Sequence, residues 1–526
     1  MEHFEVKFEP DGKKLSIHKG ATILETAGMA GIVLNTTCGG KGTCRKCAVK
    51  IGTEHKTVLA CQYKIDSDLL VTIPQSSRFF EQKILTSGVG KQEKVVCDIY
   101  KKYEDIANGG IFGVAVDVGT TTVVAKLVDM VSSKNIGCES MVNPQVRFGD
   151  DVISRIAYGD NDAKRLELQK TIVECVDELV GDLCKKAGIE RGDVFEVSVV
   201  GNTTMNHIFL NWPVAQLGQA PYKAHCVDAQ DIKPSEIGIK INDKGNIHTA
   251  ENIAGFVGSD TNAVALAVKA GSADKVSLVV DIGTNGEIVL GAKGRLCSAS
   301  CAAGPALEGA RISSGSRATE GAIEAVVINA NDIGIDVIGG DEAMSICGSG
   351  LIDAVAVMLD IGVIDATGRF VEAKELKGKV PDAILNRIIE INGQGAFVLS
   401  KDGAARVALT QKDIREMQLA KAAIRAGITL LIKEMGLEES DIDQVLLAGA
   451  FGNYIRKESA LRIGLLPDVE LEKIHFIGNA ASTGAEMVLL SSAMREGSAK
   501  LAEKIEYIEI AHKTDFSMVY ADCMMF

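Results

Sequence analysis

Apolar and polar residues alternate one by one through FEVKFEP (4–10) and KKLSIHKG (13–20). A period of two is the signature of a half-buried strand, and Asp11-Gly12 between the two runs is a turn pair, so the chain is expected to open on a β-hairpin. Thr22–Ala30 shifts to a short helical pattern, a cysteine-rich loop follows, and CAVKI (47–51) and LLVTIP (69–74) return to strand-like sequence, closed by Pro74. Residues 81–110 are charged and weakly patterned, ending in YEDIANGG, and read as a linker. At 111 the pattern changes again. IFGVAVDVGTTTVVAKLVD (111–129) is an apolar strand, a glycine–threonine turn and a second apolar strand, and the same unit returns as SLVVDIGTNGEIVLGAKG (277–294). Helical periodicity lies between them at 164–187 and 259–270 and beyond them at 412–436 and 482–496, with the strand-to-turn run QVLLAGAFGNY at 444–454. The expected organisation is a first domain over 1–80, a linker over 81–110, and a duplicated α/β unit over 111–526 with halves at about 111–275 and 276–526.

A chain of 526 residues exceeds one ordinary core, in keeping with that division. With 70 acidic against 56 basic residues the net charge is −14, which disfavours nucleic acid and anionic membranes as partners. No apolar run reaches the ~18 residues of a membrane span, and the N-terminal sequence lacks the order of a signal peptide. The expected location is the cytoplasm. There, 13 cysteines are metal ligands or small packing residues rather than disulfides, and four of them crowd into 38–61.

Those four are Cys38, Cys44, Cys47 and Cys61, in TTCGGKGTCRKCAVK and LACQ. Four thiolates can hold a [2Fe–2S] cluster, two per iron. Gly39, Gly40 and Gly42 let backbone N–H groups turn toward the inorganic sulfides without Cβ clashes. A structural zinc site ordinarily shows two Cys-x2-Cys knuckles, and one such pair is present here.

The repeated turn carries a second chemistry. In VAVDVGTTT, Asp117 ends a strand, Gly119 permits the turn, and Thr120, Thr121 and Thr122 offer hydroxyl and N–H donors to phosphate. In VVDIGTNGE the corresponding places are Asp281, Gly283, Thr284, Asn285 and Gly286, with Glu287 next as a residue that could position water. Two such loops facing each other can clamp a triphosphate, with Asp117 and Asp281 placed to bind Mg2+ directly or through water. A third turn at Gly449 and Gly452 suits adenine and ribose, where side chains would obstruct. One D-x-G-T turn alone is an ordinary hairpin; the repetition carries the inference. Neither a P-loop nor a dinucleotide G-x-G-x-x-G after a strand is present.

The first 80 residues resemble an adrenodoxin or plant-type ferredoxin, which implies an α+β, β-grasp domain; the spacing before Cys61 is shorter than usual in that family. Residues 111–526 resemble the acetate kinase/sugar kinase/Hsp70/actin (ASKHA) superfamily, which implies a duplicated α/β ATPase closing on ATP. The two joined resemble the reductive activators of corrinoid proteins, with NPQVRFGDDVISRI (143–156), VVGNTTMNHIFL (199–210), SASCAAGPALEGA (298–310) and ICGSGLID (346–353) adding to the match. That resemblance implies ATP-dependent, one-electron reduction of Co(II) to Co(I) in a corrinoid partner, an upstream low-potential donor, and leaves a homodimer open. Longer members carry a middle domain, which is expected to be missing here because about 30 residues bridge the two parts.

Other residues have blander readings. Asn202 and Thr203 either reach phosphate or cap a helix; His207 is expected to be a satisfied helix residue; Cys297, Cys301 and Cys347 are expected to pack as small residues. Arg147, Phe148 and Asp150 either touch a partner or fix the cleft. The rival functions are an activator of a 2-hydroxyacyl-CoA dehydratase or benzoyl-CoA reductase, a metabolite kinase with a fused ferredoxin, and a nucleotide-binding redox sensor without turnover.

Overall fold

The structure, a computed structural model, describes residues 2–10, 12–30, 32, 34, 42, 47–52, 55–74, 77, 95–272, 274–329, 331–339, 342–400, 406–449 and 455–526. Cys38, Cys44 and Gly452, and the linker residues 81–94, lie outside these.

The opening hairpin forms as its alternation requires: His3–Glu9 pairs antiparallel with Lys13–His18, Val6 and Phe8 turned into a core and Lys7 outward. Thr22 caps the helix Ile23–Met29 through a reciprocal capping box with Glu25, which fixes where the helix begins. Ala48–Ile51, Lys56–Leu59 and Leu69–Thr72 complete a five-stranded mixed sheet, in which the first and last strands run parallel at its centre. Ile23 and Ala27 of the helix join Val6, Val49, Ile65 and Val71 in one core. This is the ferredoxin-type β-grasp arrangement.

The duplication appears as two six-stranded sheets built alike. In the first, Phe112–Val118, Thr122–Asp129 and Lys134–Val142 form an antiparallel meander, and Val194–Gly201 and Asn246–Thr249 add parallel to its first strand. In the second, Ser277–Ile282, Gly286–Ala292 and Arg295–Cys301 make the same meander, extended in parallel by Gln444–Ala448 and Ile474–Gly478. Each central strand is buried on both faces, so it reads as a continuous apolar run rather than an alternation. Long helices Asp162–Ala187 and Gln411–Glu434 cover the outer faces of the two sheets.

Between the sheets run two equivalent helices, Ser259–Ala267 after the strand Asn246–Thr249 and Ala480–Leu490 after the strand Ile474–Gly478. They cross at small residues; a Cβ on Gly484 would lie 2.2 Å from the carbonyl oxygen of Ala263, so only glycine allows the approach. The helical pattern at 482–496 is in fact two helices, parted at Ser491 where the backbone is extended. Their packing makes a shared core that also takes in Ile99 and Tyr103, from the stretch expected to be linker. Tyr103 donates to Glu196 at 2.6 Å and Asp98 accepts from the Ser492 N–H at 2.8 Å, so residues 98–103 are built into the joint between the halves.

Candidate nucleotide cleft and cysteine site

Both repeated turns line one cavity of about 190 Å³, together with Asn202, Asp260, Gly449 and Asn479. Strand geometry explains the convergence. Asp117 and Asp281 sit near the ends of equivalent strands, one residue before the apolar position that precedes each turn, so their side chains leave the sheet on the cleft side. Each turn is closed by its glycine N–H: Gly119 to the Thr122 carbonyl at 2.9 Å, and Gly283 to the Asn285 carbonyl at 3.0 Å.

The first turn is firmly held. Asn143 donates to the Gly119 carbonyl at 2.9 Å, Asn202 donates to Thr120 Oγ1 at 2.9 Å, and the Arg155 guanidinium donates to the Thr120 carbonyl. Asn202 does two things at once, since its Oδ1 also accepts from Met205 N at 3.0 Å and caps the helix Thr203–Phe209. In the second turn, Thr284 donates to Glu308 at 2.5 Å, and Glu308 lies 3.8 Å from Arg317.

Five carboxyl groups share this cleft, one of them the Glu308 that accepts from Thr284. Asp117, Asp281 and Glu287 are evident in the repeated turns; Asp260, in the first turn of the helix Ser259–Ala267, is not. Burial, and then repulsion by Asp260, pushes Asp117 up to about 7, although Asn479 donates to it at 3.0 Å. Burial with repulsion by Asp260 and Asp117 brings Asp281 to about 7, and burial brings Asp260 to about 6. Glu287 is pushed well above the carboxylate range by burial and by Asp260 and Asp281. A cation entering the cleft would relieve this repulsion, but among the described residues no three such side chains stand close enough to cage a metal by themselves, so a hard dication here would keep waters or phosphate oxygens as ligands.

Gly449 has a left-handed backbone, and a Cβ there would meet Asp281 Oδ1 at 2.5 Å, so only glycine lets the backbone stand this close to the aspartate. Gly286 is placed differently from expectation. It begins the strand Gly286–Ala292 and faces Ile424 of the outer helix, not the cavity. Thr203 is buried and donates to the Ala254 carbonyl at 2.5 Å, so it is a structural partner of its helix rather than a cleft residue. His207 contacts the Thr203 carbonyl at 2.7 Å and accepts from His225 N at 3.0 Å, and burial lowers it to about 4. Cys297 and Cys301 lie in the core of the second half, and Cys347 is buried at the cap of the helix Gly348–Asp360.

In the N-terminal domain, Cys47 and Cys61 are buried with their sulfurs 3.4 Å apart. That is too far for a disulfide, which needs about 2.05 Å, and close enough for two ligands of one metal. The short spacing has a plain cause: Ala48–Ile51 pairs antiparallel with Lys56–Leu59, Ala48 opposite Leu59, and Ala60 N–H donates to the Cys47 carbonyl at 2.9 Å. The thiol pair therefore fits half of a cluster site without a longer lid.

Asp260 and Asn479 were not legible in the sequence. Each stands at the start of an inter-sheet helix. The one available signal is a polar residue at a helix start after a Gly turn (Gly258-Ser-Asp260 and Gly478-Asn479), which any capped helix also shows.

Comparisons with known proteins agree with these parts. Residues 4–75 match the 2Fe-2S iron-sulfur cluster binding domain, 112–271 the RACo middle region, and 275–526 the C-terminal ASKHA domain of RACo. The expected absence of a middle region is thereby corrected: that region is present as 112–271, because it is the first of the two sheet-bearing halves and not an insertion before them. Over 98% of this chain and 98% of the other, the sequence is 34% identical to the corrinoid activation enzyme RamQ of Eubacterium limosum. It is 27% identical, over 78% and 76%, to the [Co(II) methylated amine-specific corrinoid protein] reductase of Methanosarcina barkeri. A solved reductive activator for corrinoid,iron-sulfur protein superposes with a TM-score of 0.72 at 30% identity, covering 99% of this chain and 98% of that one.

Proposed function

Because the chain belongs to the family of corrinoid activation enzymes, we propose that it uses ATP to reactivate a corrinoid protein, passing one electron to Co(II) and regenerating Co(I) for methyl transfer. The observation that carries this reading is the pairing in one chain of a cysteine site on a ferredoxin-type domain with a cleft formed by two facing phosphate-type turns. A [2Fe–2S] cluster held by Cys38, Cys44, Cys47 and Cys61 supplies a one-electron carrier, and plant-type centres lie near about −400 mV. Thr120, Thr121, Thr122, Thr284 and Asn285 bind the phosphates. Asp117 and Asp281 bind Mg2+ directly or through water, Glu287 orients water, and Gly449 with Gly452 borders the nucleoside. Residues 1–80, 81–110 and 111–526 act as electron carrier, connector and ATPase.

Reducing a corrinoid from such a potential runs uphill, and each ~59 mV costs a factor of ten in a one-electron equilibrium. Nucleotide can offset this only by binding the two conformations of the chain unequally. The cleft supplies a means, since its walls come from opposite halves joined at the crossing of Ser259–Ala267 with Ala480–Leu490. Closure on MgATP moves one half against the other, and residues 98–103, wedged at that joint, carry the movement toward the N-terminal domain. The setting is the cytoplasm, with a low-potential donor upstream.

The test is a visible spectrum of a Co(II) corrinoid protein incubated with this protein, reductant and ATP. The Co(I) band should appear only with ATP, and ATP hydrolysis should rise when the partner is present. A Cys44→Ala variant should lose reduction while binding nucleotide normally. Reduction that proceeds equally without ATP would overturn the proposal, and hydrolysis indifferent to any corrinoid partner would favour a metabolite kinase or a sensor.

A further inference from the structure

Behind the first phosphate turn lies a charge that the reading above leaves unused. Arg155, in the helix Val152–Tyr158, is fully buried. Its Nε donates to the Gly149 carbonyl at 2.9 Å, Nη1 reaches Gln145 Oε1 at 3.3 Å and Met205 Sδ at 3.2 Å, and Nη2 donates to the Thr120 carbonyl. These hydrogen-bond partners are all neutral. Asp150 and Asp151 act on the guanidinium through space, and Arg317 of the other half opposes it.

A buried cation satisfied only by neutral groups is costly to keep, and a neutral amide or thioether of similar size would fill the space more cheaply. Asp150 and Asp151 offset part of that cost through space, and a further anion near the guanidinium would offset more. Thr120 lines the cleft and Arg155 grips its carbonyl, so the charge stands one peptide unit behind the place where phosphate enters. Resting on the nucleotide reading of this cleft, we propose that Arg155 is a positioning residue for the triphosphate. It fixes the Gly119–Thr122 turn from behind and sets a positive charge against the phosphates without touching them. This also gives a use to the motif QVRFGDDVISR, whose Gln145, Gly149 and Arg155 form one hydrogen-bonded brace.

The role predicts a dependence on phosphate number that a packing role would not produce. ATP, ADP and adenosine binding to the full chain should be measured by calorimetry for the wild type, Arg155→Met and Arg155→Lys. Arg155→Met should weaken ATP by roughly tenfold or more, about the value of a charge-assisted contact, weaken ADP less, and leave adenosine unchanged. Arg155→Lys, which keeps the charge but not the planar fork, should recover part of the loss and raise KM for ATP with kcat little changed. Equal losses for all three ligands, or an unchanged ATP affinity, would overturn the proposal. Should Arg155→Met not fold, an unchanged KM in Arg155→Lys would overturn it as well. A wild type that binds no ATP would instead remove the nucleotide reading beneath it.

Discussion

The two phosphate turns are copies in sequence and opposites in support. The first is held at three points, by Asn143, Asn202 and Arg155, and what stands behind it is cationic. In the second, the Thr284 hydroxyl is turned onto Glu308, an anion whose own neighbour is Arg317. A repeated D-x-G-T turn therefore does not imply a repeated function. On the proposed reading, one wall is braced and backed by positive charge, and the other holds a hydroxyl that phosphate would have to win from a carboxylate.

The largest test addresses what the turns share. Replacing Asp117 or Asp281 by Asn should each lower ATP turnover about a hundredfold, the scale of losing one electrostatic element of a phosphoryl-transfer site. If one substitution were silent, the aspartates would not be equivalent and the comparison would extend to the metal position. Next, Asn202→Ala frees Thr120 and uncaps a helix, and should raise KM for ATP about tenfold. Glu308→Gln should act the other way, tightening ATP two- to threefold at roughly constant kcat, because it removes an anion facing the phosphates. A Glu308→Gln effect as damaging as Asn202→Ala would mean that both turns need their braces alike.

The smallest effect is on stability. In the folded chain burial pushes Asp117 and Asp281 up to about 7 and Asp260 up to about 6, well above the ordinary carboxyl range. Raised carboxyl values mean that the folded state holds protons the unfolded state has released, so these groups lower stability as pH climbs from about 4 to 7. His207, lowered to about 4 by burial, works in the opposite direction below about 6.5. The clean measurement is thus a difference. Without nucleotide or metal, Asp117→Asn should melt higher than the wild type at pH 8, with the gap closing toward pH 4. Added Mg2+ should stabilise the wild type more than the variant at pH 8. Melting temperatures that track each other across this range would show that Asp117 is not held against ionisation.

Much of this molecule could be read from its residues in order. Alternation set the opening hairpin, the Thr22/Glu25 box set the start of the first helix, and the four-cysteine spacing and the repeated turn marked both chemistries. These signals are local, arising from backbone geometry and side-chain period within a few residues. Tertiary structure decided what depends on distant partners. It brought Asp260 and Asn479 to the cleft from the starts of two crossing helices, turned Gly286 away from it, and built residues 98–103 into the joint. It also gave the copied turns opposite surroundings. A helix cap looks the same in sequence whether it faces solvent or a phosphate, and only the crossing of two sheets determines which.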